Sequence, residues 1–434
     1  MNFLFKAIDN SPLIVFRIFF GFLIACESFG AILTGWVKRV FIDPEFTFSF
    51  IGFEWLQPLP GFGMYYYFII MGILGLCIML GYYYRISIIL YSFLWAGAYL
   101  MQKSHYNNHY YLLLLISFLM IVLPANKYAS LDVKQNRTTE QITMPFWISF
   151  LFIVQVGIVY FFAAIAKIYP DWLDGTFTKI LLAEHSSNSV FSELFSKKWF
   201  YLFIAYAGIA FDLLIVPLLL IKRTRTLALI ASLLFHIFNA ITLQIGIFPF
   251  FALSFALFFY ESETIRRIFL KNKPSVKFEK TQFNFNEKKI VYFLIIPYLI
   301  IQALLPLRHH IIEGDVLWTE EGHRLSWRMM LRERNGYINI LIKDLSSGQL
   351  SNYDYHKNLT VKQINNLATK PDFIWQYCQR IKKEFENKNI AIYIECKNNI
   401  NKKEYKTLID PNFDMAKAEW SHFKHNEWIV LQKP

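Results

Sequence analysis

The sequence predicts an α-helical polytopic membrane domain of about eight to nine transmembrane helices, followed by a small, mostly β C-terminal extracytoplasmic domain. Of the 434 residues 55% are hydrophobic, and the mean hydropathy is +0.33. Only 18% are charged, against about 25% in typical soluble domains. Long uncharged runs fill the first three hundred or so residues, whereas the rest is rich in Lys, Asn, Glu and Asp. A soluble chain this apolar would lack the polar surface to cover it.

The uncharged runs have the length that a transmembrane helix requires, since a bilayer core of roughly 30 Å takes about 20 apolar residues. We expect spans at about 12–35, 62–81, 86–102, 109–124, 146–167, 200–221, 226–243, 247–260 and 289–306. The uncharged run 226–260 is too long for one span and too short for two full ones. Gly246 and Pro249 near its middle can break a helix. We interpret this run as a helix, a buried break and a shorter returning helix.

The first span is less uniformly apolar because it contains Arg17 and Glu27. These residues are ten positions apart, so they cannot pair with each other along one helix. We expect both to find partners across helices.

The distribution of Lys and Arg favours a cytoplasmic N-terminus. It also favours two passes in 226–260, because otherwise the basic stretch 261–289 would lie outside. We therefore predict a transmembrane domain with the active site over 1–307 and a soluble, extracytoplasmic, sheet-rich domain over 308–434. The abundance of Lys, Asn and Ile suggests a bacterial protein, which indicates the bacterial cytoplasmic (inner) membrane. Loop bias and a lysine-rich tail explain the net charge of +12; no groove-reading motif suggests nucleic acid.

The C-terminal part combines alternating stretches, typical of strands, with helical ones. Strands are expected at Tyr337–Ile342 and Ile390–Glu395, and helices at Val361–Ala368 and 372–388. Cys378 and Cys396 lie in this part, where a disulfide is allowed, but the sequence cannot show that they meet. Because no CxxC pair occurs, we do not expect a cysteine zinc site.

Ionisable and polar side chains at membrane depth are costly, so each is a candidate functional residue. His109 opens the fourth span, Lys167 closes the fifth and Asp212 lies within the sixth. His236 and Asn239 are three residues apart in the seventh, so they share a helix face. The predicted topology places His109, Lys167, His236 and Asn239 at or near the outer membrane boundary. These residues were not used to predict the topology. This convergence supports one shared site.

Each of these residues also has a structural interpretation. A lysine at the end of a span commonly extends to the interface, and His109 could belong to an aromatic belt. His236 and Asn239 could be interhelical hydrogen-bonding groups. Asp212 could simply pair with a cation on a neighbouring helix.

Several motifs lie around these residues in a fixed order. They are Lys103–Tyr111; Ala125, Asn126, Tyr128, Ser130 and Asp132; Tyr160–Trp172; Asp212; Phe235, His236 and Asn239; Gly246; Pro306 and His309; and Trp318, Thr319, Ser326, Trp327, Met329 and Met330. This ordered set, over about residues 5–345, resembles the vitamin K-dependent γ-glutamyl carboxylase family. It is also similar to bacterial members of the wider horizontally transferred transmembrane (HTTM) domain group. Two positions depart from the family pattern: Pro124 replaces an Asp, and Ala166 replaces the first of two lysines, of which Lys167 matches the second.

The resemblance implies a membrane enzyme that couples oxidation of vitamin K hydroquinone by O2, to the epoxide, to γ-carboxylation of glutamate residues with CO2. Its partners would be the lipid bilayer and a glutamate-containing peptide or protein. The γ-proton of glutamate is too weakly acidic for a side chain to remove, so the oxidation supplies the base. A protein base must first deprotonate the hydroquinone. By its match this is Lys167, whose amine must be partly neutral, as burial or nearby cations favour.

The resemblance also implies roles for other residues. His109 is the second catalytic candidate, steadying the oxygenated intermediate. Residues expected in the substrate or quinone pocket are Asn108, Asp171, Trp172, Asp212, His236, Asn239 and His309. The family's chemistry, as implied, involves no metal.

Two other functions remain open from the sequence. One is a quinol oxidase or epoxidase that has lost carboxylation, which would use Lys167 in the same way. The other is a non-enzymatic membrane scaffold or transporter. A transporter predicts functional polar groups at mid-membrane depth in both halves, whereas here they gather outward, which favours an enzyme.

Overall fold

Apolar helices dominate the first three quarters of the protein. A computed structural model describes residues 2–184, 192–243, 246–276 and 285–432; part of the predicted basic stretch, 277–284, lies outside the described residues. Six helical segments are long and apolar enough to cross a membrane, at Ser11–Leu33, Gly63–Leu80, Tyr84–Met101, Trp147–Ala166, Lys198–Leu220 and Lys288–His310. Each lies close to a predicted span, which supports a membrane protein.

The expected count of eight to nine transmembrane helices is not confirmed. Three further apolar helical stretches occur where spans were predicted, at Asn108–Val122, Arg225–Ala240 and Phe248–Phe258, but they are shorter. The 15 residues of Asn108–Val122 would extend about 22 Å at 1.5 Å per residue. That is less than the roughly 30 Å of a bilayer core, so apolarity alone does not decide whether they cross.

The α-helices are, in chain order, α1 Ser11–Leu33, α2 Gly63–Leu80, α3 Tyr84–Met101, α4 Asn108–Val122, α5 Leu131–Lys134, α6 Trp147–Ala166, α7 Pro170–Leu173, α8 Thr176–Glu184, α9 Ser192–Ser196, α10 Lys198–Leu220, α11 Arg225–Leu243, α12 Phe248–Ser254, α13 Ser262–Phe269, α14 Phe285–Ile290, α15 Ile296–Leu304, α16 Val316–Thr319, α17 Val361–Thr369 and α18 Pro371–Glu384. The strands are β1 Ala7–Asp9, β2 Thr143–Pro145, β3 Arg334–Asp344, β4 Leu350–Asn352, β5 Ile390–Ile400 and β6 Lys406–Thr407. Short 3-10 or π-helical segments occur at Asn2–Phe5, Lys38–Ile42, Lys103–His105, Phe255–Phe258, Val291–Ile295 and Leu305–His310.

Helix α1 lies at the centre of the helical part and packs closely on α2. A Cβ at Gly21 would lie 2.3 Å from the Met79 backbone nitrogen, so only glycine allows this approach. Arg17 is fully buried and donates to the carbonyl oxygens of Ala125 and Ala129. Glu27 accepts a hydrogen bond from another helix, as described below. Glu27 therefore finds a partner on another helix, as expected, whereas the partners of Arg17 are carbonyl oxygens of the loop between α4 and α5. Neither residue makes an ion pair among the described residues.

The predicted break within 226–260 is present. Helix α11 and helix α12 are separated at Gly246, whose φ of +60° lies in the left-handed region. A residue without a Cβ adopts this conformation at little cost. Two apolar helices are therefore separated near the position that the sequence indicated.

The C-terminal region is a small mixed domain. Its four strands form an antiparallel sheet in the order β4-β3-β5-β6, in which Ile340 of β3 pairs with Ile394 of β5. Side chains of α17 and α18 complete its core, and a capping box between Thr360 and Gln363 begins α17. The two predicted strands and two predicted helices are confirmed. Cys378 and Cys396 are both free, buried thiols.

Contacts of Phe48 and Lys103 help to join this domain to the ends of the membrane helices. Phe48, from the connection between α1 and α2, lies in the core of the C-terminal domain, with its ring 4.6 Å from that of Phe373. Lys103, between α3 and α4, forms a buried ion pair with Asp372 at 2.7 Å. The C-terminal domain is thereby held against the helix ends that carry the candidate site.

Candidate functional site

The Lys167 amine is buried and paired with a carboxylate. Lys167 follows the last residue of α6, and its Nζ lies 2.5 Å from Oδ2 of Asp212 on α10 and 3.2 Å from the Ala163 carbonyl oxygen. Lys167 is 9% exposed and Asp212 is 6% exposed. The Trp172 ring lies beneath the amine, 5.4 Å away. A buried charge requires a partner, and each of these two groups supplies the other with one.

Tyr160 and His236 lie on the same side of α6 as this pair. Tyr160 and Lys167 are seven residues apart, which is two turns of one helix face. The Tyr160 hydroxyl is 3.0 Å from Nε2 of His236 on α11. His236 is 2% exposed, and its other ring nitrogen, Nδ1, has no hydrogen-bond partner among the described residues. A buried ring nitrogen without a partner is available to a bound molecule.

A single aromatic ring connects the two histidines. The His109 ring stacks on Phe248 of α12 with centroids 3.6 Å apart and an interplanar angle of 18°. The His236 ring meets Phe248 edge-on at 6.2 Å. The structure therefore brings His109, from α4, and His236, from α11, to the same Phe248 ring. Asn239 is half-buried one turn further along α11.

Asp171 and Trp172 are adjacent in sequence but form hydrogen bonds to different parts of the protein. Trp172 donates its indole N–H to the Ala205 carbonyl oxygen of α10 at 2.9 Å. Asp171 instead accepts from Asn401 and Lys403 of the C-terminal domain, at 2.8 Å and 2.6 Å. Asp171 therefore ties the end of α6 to the outer domain, whereas Trp172 stays beneath the Lys167 amine.

Asn108 also faces the C-terminal domain. Its Nδ2 donates to the Arg328 carbonyl oxygen at 3.1 Å, and its Oδ1 accepts from the Tyr106 hydroxyl at 2.9 Å. Asn108 thus connects the start of α4, immediately before His109, to the segment after α16. The family resemblance placed Asn108 in a pocket, and the structure gives it this connecting contact.

An open cavity of about 560 Å³ lies between the end of α6, the last membrane helix and the segment 312–328. Its lining includes apolar side chains such as Phe162, Ile165 and Leu307, and polar ones such as His309, Asp315 and Arg328. His309 is held by a contact between its Nδ1 and the Pro306 carbonyl oxygen at 2.8 Å. Lys167 is not among the described lining residues, although its neighbours Ala166 and Ile168 are. The cavity suits a ligand with an apolar body and an acidic end.

Arg328 is a site residue that sequence reasoning missed. Burial and the neighbouring cation of Arg332 lower the pKa of Arg328 to about 10, so it stays charged near neutral pH. Further into the domain, Arg332 and Arg334 form buried ion pairs with Glu320. Burial opposes ionisation of Glu320, but the two arginines and His323 hold its pKa well below its usual range.

The sequence feature that could have identified Arg328 is the recurrence of arginines every four residues over 324–332.

Tyr160 and Glu27 appear in the sequence analysis but are not among its candidate site residues. The seven-residue spacing from Lys167 could have singled out Tyr160.

Among the residues that the structure describes, no group of three or more His, Cys, Asp or Glu side chains could hold a metal ion.

Comparisons with known families match two parts of the chain. The HTTM domain model matches residues 5–263, which is more than half of the chain. The model of the vitamin K-dependent gamma-carboxylase lumenal domain matches residues 287–433. No solved structure matches the chain. A match to a lumenal domain supports a C-terminal domain on the outer side of the membrane.

Proposed function

The chain belongs to the vitamin K-dependent γ-glutamyl carboxylase family, and we propose that it couples oxidation of vitamin K hydroquinone by O2, to the epoxide, to γ-carboxylation of glutamate residues with CO2. In this reaction the glutamate γ-proton leaves in water, and the new carbon–carbon bond forms to CO2. The observation that carries the proposal is the buried Lys167–Asp212 pair, with His236 bonded to Tyr160 on the same helix as Lys167.

The cavity beside α6 fits both kinds of substrate. Its apolar wall continues onto membrane-facing side chains, since Ile165 is 44% exposed and Leu307 is 44% exposed. A reduced naphthoquinone could enter there from the bilayer. The charged Arg328 and the neighbouring His310 offer hydrogen-bond donors to a glutamate carboxylate.

Lys167 and Asp212 would accept the quinol proton as one unit. The two groups lie 2.5 Å apart, and we treat them as a single proton-accepting unit. The pair carries no net charge when one proton lies between the amine and the carboxylate. Taking up a second proton gives it a positive charge, which would stabilise the quinol anion left behind. The hydroquinone, when bound, supplies the reducing electrons.

His236 and His109 would orient the quinol. The Tyr160 hydroxyl fixes one ring nitrogen of His236 and leaves Nδ1 free to hydrogen-bond a substrate oxygen. His109 stacks on Phe248, and from there it would contact the reacting ring. Burial of these groups excludes water, which protects a strong base once it has formed.

The test is a reaction in lipid with vitamin K hydroquinone, O2, labelled bicarbonate and a glutamate-containing peptide. We expect label in the peptide together with epoxide for the wild type. Lys167→Met is expected to form neither product. Lys197→Met, which alters a lysine 51% exposed on the same side of the membrane, should behave as the wild type.

The other outcomes decide between the alternatives. Epoxide without labelled peptide would replace the proposal with a quinol oxidase. Neither product from well-folded wild-type protein would support a scaffold or transporter. Full turnover by Lys167→Met would contradict the role of the lysine.

A further inference from the structure

Glu27 contacts the helix turn that carries His109. It lies in the membrane helix α1 and is half-buried. Its Oε1 accepts a hydrogen bond from the Tyr110 hydroxyl at 2.9 Å. Tyr110 follows His109 in the first turn of α4, and the side chain of Asn107 caps this turn by accepting from the Tyr110 backbone N–H at 2.7 Å. Glu27 and Asn107 therefore hold Tyr110 from opposite ends.

The other oxygen of Glu27 faces the turn that leads to Phe248. A Cβ placed on Gly246 would lie 3.6 Å from Oε2 of Glu27. Gly246 has the left-handed conformation that ends the α11–α12 break, and Phe248 begins α12 two residues later. The Glu27 carboxylate therefore accepts from Tyr110 of α4, lies beside the Gly246 turn and accepts a backbone hydrogen bond from Ile247, the residue before α12.

The His109 ring needs this outside support. Within the described part of the chain, neither of its ring nitrogens makes a hydrogen bond, so stacking on Phe248 is its main contact. Aromatic stacking alone is a weak constraint on the position of a ring. The position of the ring is therefore set by the backbones of α4 and α12. A carboxylate at membrane depth is costly, and Glu27 lies at the junction of both elements.

We propose that Glu27 is a positioning residue that holds His109 against Phe248 by binding Tyr110 and the Gly246 turn. Its role in turnover rests on the function proposed above. Glu27 would affect turnover by positioning His109, which differs from a general contribution to folding.

Turnover of two variants separates these roles. Glu27→Leu removes both contacts and is expected to lower kcat for epoxide formation by about tenfold or more, since small misplacements of reacting groups have large effects. Glu27→Gln keeps an oxygen that accepts a hydrogen bond from Tyr110, so it should retain most of the wild-type kcat. Tyr84→Phe, which removes a fully buried hydroxyl hydrogen bond to Met120 elsewhere in the bundle, is the matched control and should keep wild-type turnover.

A His109→Ala background tests whether Glu27 acts through His109. There, Glu27→Leu should lower kcat by no more than about twofold further, because the ring to be positioned is gone. An undiminished tenfold effect in this background would overturn the proposal. So would a Glu27→Gln variant as impaired as Glu27→Leu.

A readout independent of turnover is the NMR signal of the His109 ring in histidine-labelled protein, assigned from its loss in His109→Ala. Stacking at 3.6 Å exposes this signal to the ring current of Phe248. Glu27→Leu and Tyr110→Phe should both move it, and Tyr84→Phe should not. An unmoved signal in both would overturn the positioning role. A moved signal in a protein whose wild type forms no epoxide would overturn only the proposed function.

Discussion

Lys167 and Asp212 form a buried ion pair in which each charge compensates the other. Removing one partner of a buried ion pair typically costs about 3–5 kcal/mol, because the other charge is left without compensation. Replacing both by neutral groups of similar size is often close to neutral. Stability and turnover can therefore be separated at this site.

At the residue scale we expect Lys167→Met and Asp212→Asn each to lower the melting temperature in detergent. The double variant Lys167→Met/Asp212→Asn should melt closer to the wild type and yet form no epoxide. Thermal unfolding and epoxide turnover measured on the same preparations check this. A double variant that turns over normally would show that the pair is only structural.

At the scale of elements, the break between α11 and α12 depends on Gly246. Its φ of +60° is a conformation that an L-residue adopts at a cost of about 1–2 kcal/mol. The break determines where Phe248 begins α12, and so where the His109 ring can stack. A strained turn should therefore affect stability and site geometry together.

We expect Gly246→Ala to lower the free energy of unfolding by about 1–2 kcal/mol, and with it the melting temperature, and to reduce turnover. Gly157→Ala is the matched control. Gly157 lies inside α6, and a Cβ there would meet only Val216 Cγ1 at 3.9 Å, so alanine should be neutral or slightly stabilising. Equal losses of stability in both variants would argue against a special role for the break.

At the scale of the whole molecule, a buried charge cluster fastens the C-terminal domain to the membrane helices. Asp372 of α18 pairs with Lys103 at 2.7 Å and with Arg324 at 2.6 Å. Burial opposes ionisation of Asp372, but Arg324 and Lys103 outweigh it and lower its pKa to about 2. Burial lowers the pKa of Lys103 to about 8, against the attraction of Asp372. Asp372 therefore neutralises two cations at the domain junction.

We expect Asp372→Asn to destabilise the protein more than Lys103→Met, because it leaves two buried cations unpaired and Lys103→Met leaves the Arg324 pair intact. The sign of the pH dependence follows from the lowered pKa of Asp372. Its stabilisation is complete above about pH 4 and is lost as pH falls through about 2. Melting temperatures across this range should fall more steeply for wild type than for Asp372→Asn. If the melting temperatures of the two proteins fell in parallel, Asp372 would not be the cause of the pH dependence.

The helices and the outer-domain elements could be predicted because they depend on local apolar runs and alternation. The number of membrane crossings could not, because α4 and the halves of 226–260 are apolar but short. Pairing of Lys167 with Asp212, 45 residues apart, is a tertiary contact that local patterns do not encode. For the same reason the contacts of Asp171 and Asn108 with the C-terminal domain were not foreseen. The resemblance to the family supplied the site residues, and the structure supplied their partners.

The role of the buried pair as the base is tested most directly by the ionisation of bound vitamin K hydroquinone without O2. Under anaerobic conditions near neutral pH, the absorbance spectrum distinguishes the hydroquinone from its anion. We expect the anion spectrum with wild-type protein and the neutral spectrum with Lys167→Met/Asp212→Asn, whose stability should be close to that of the wild type. Anion formation of equal extent in both proteins would contradict a base at Lys167 and Asp212.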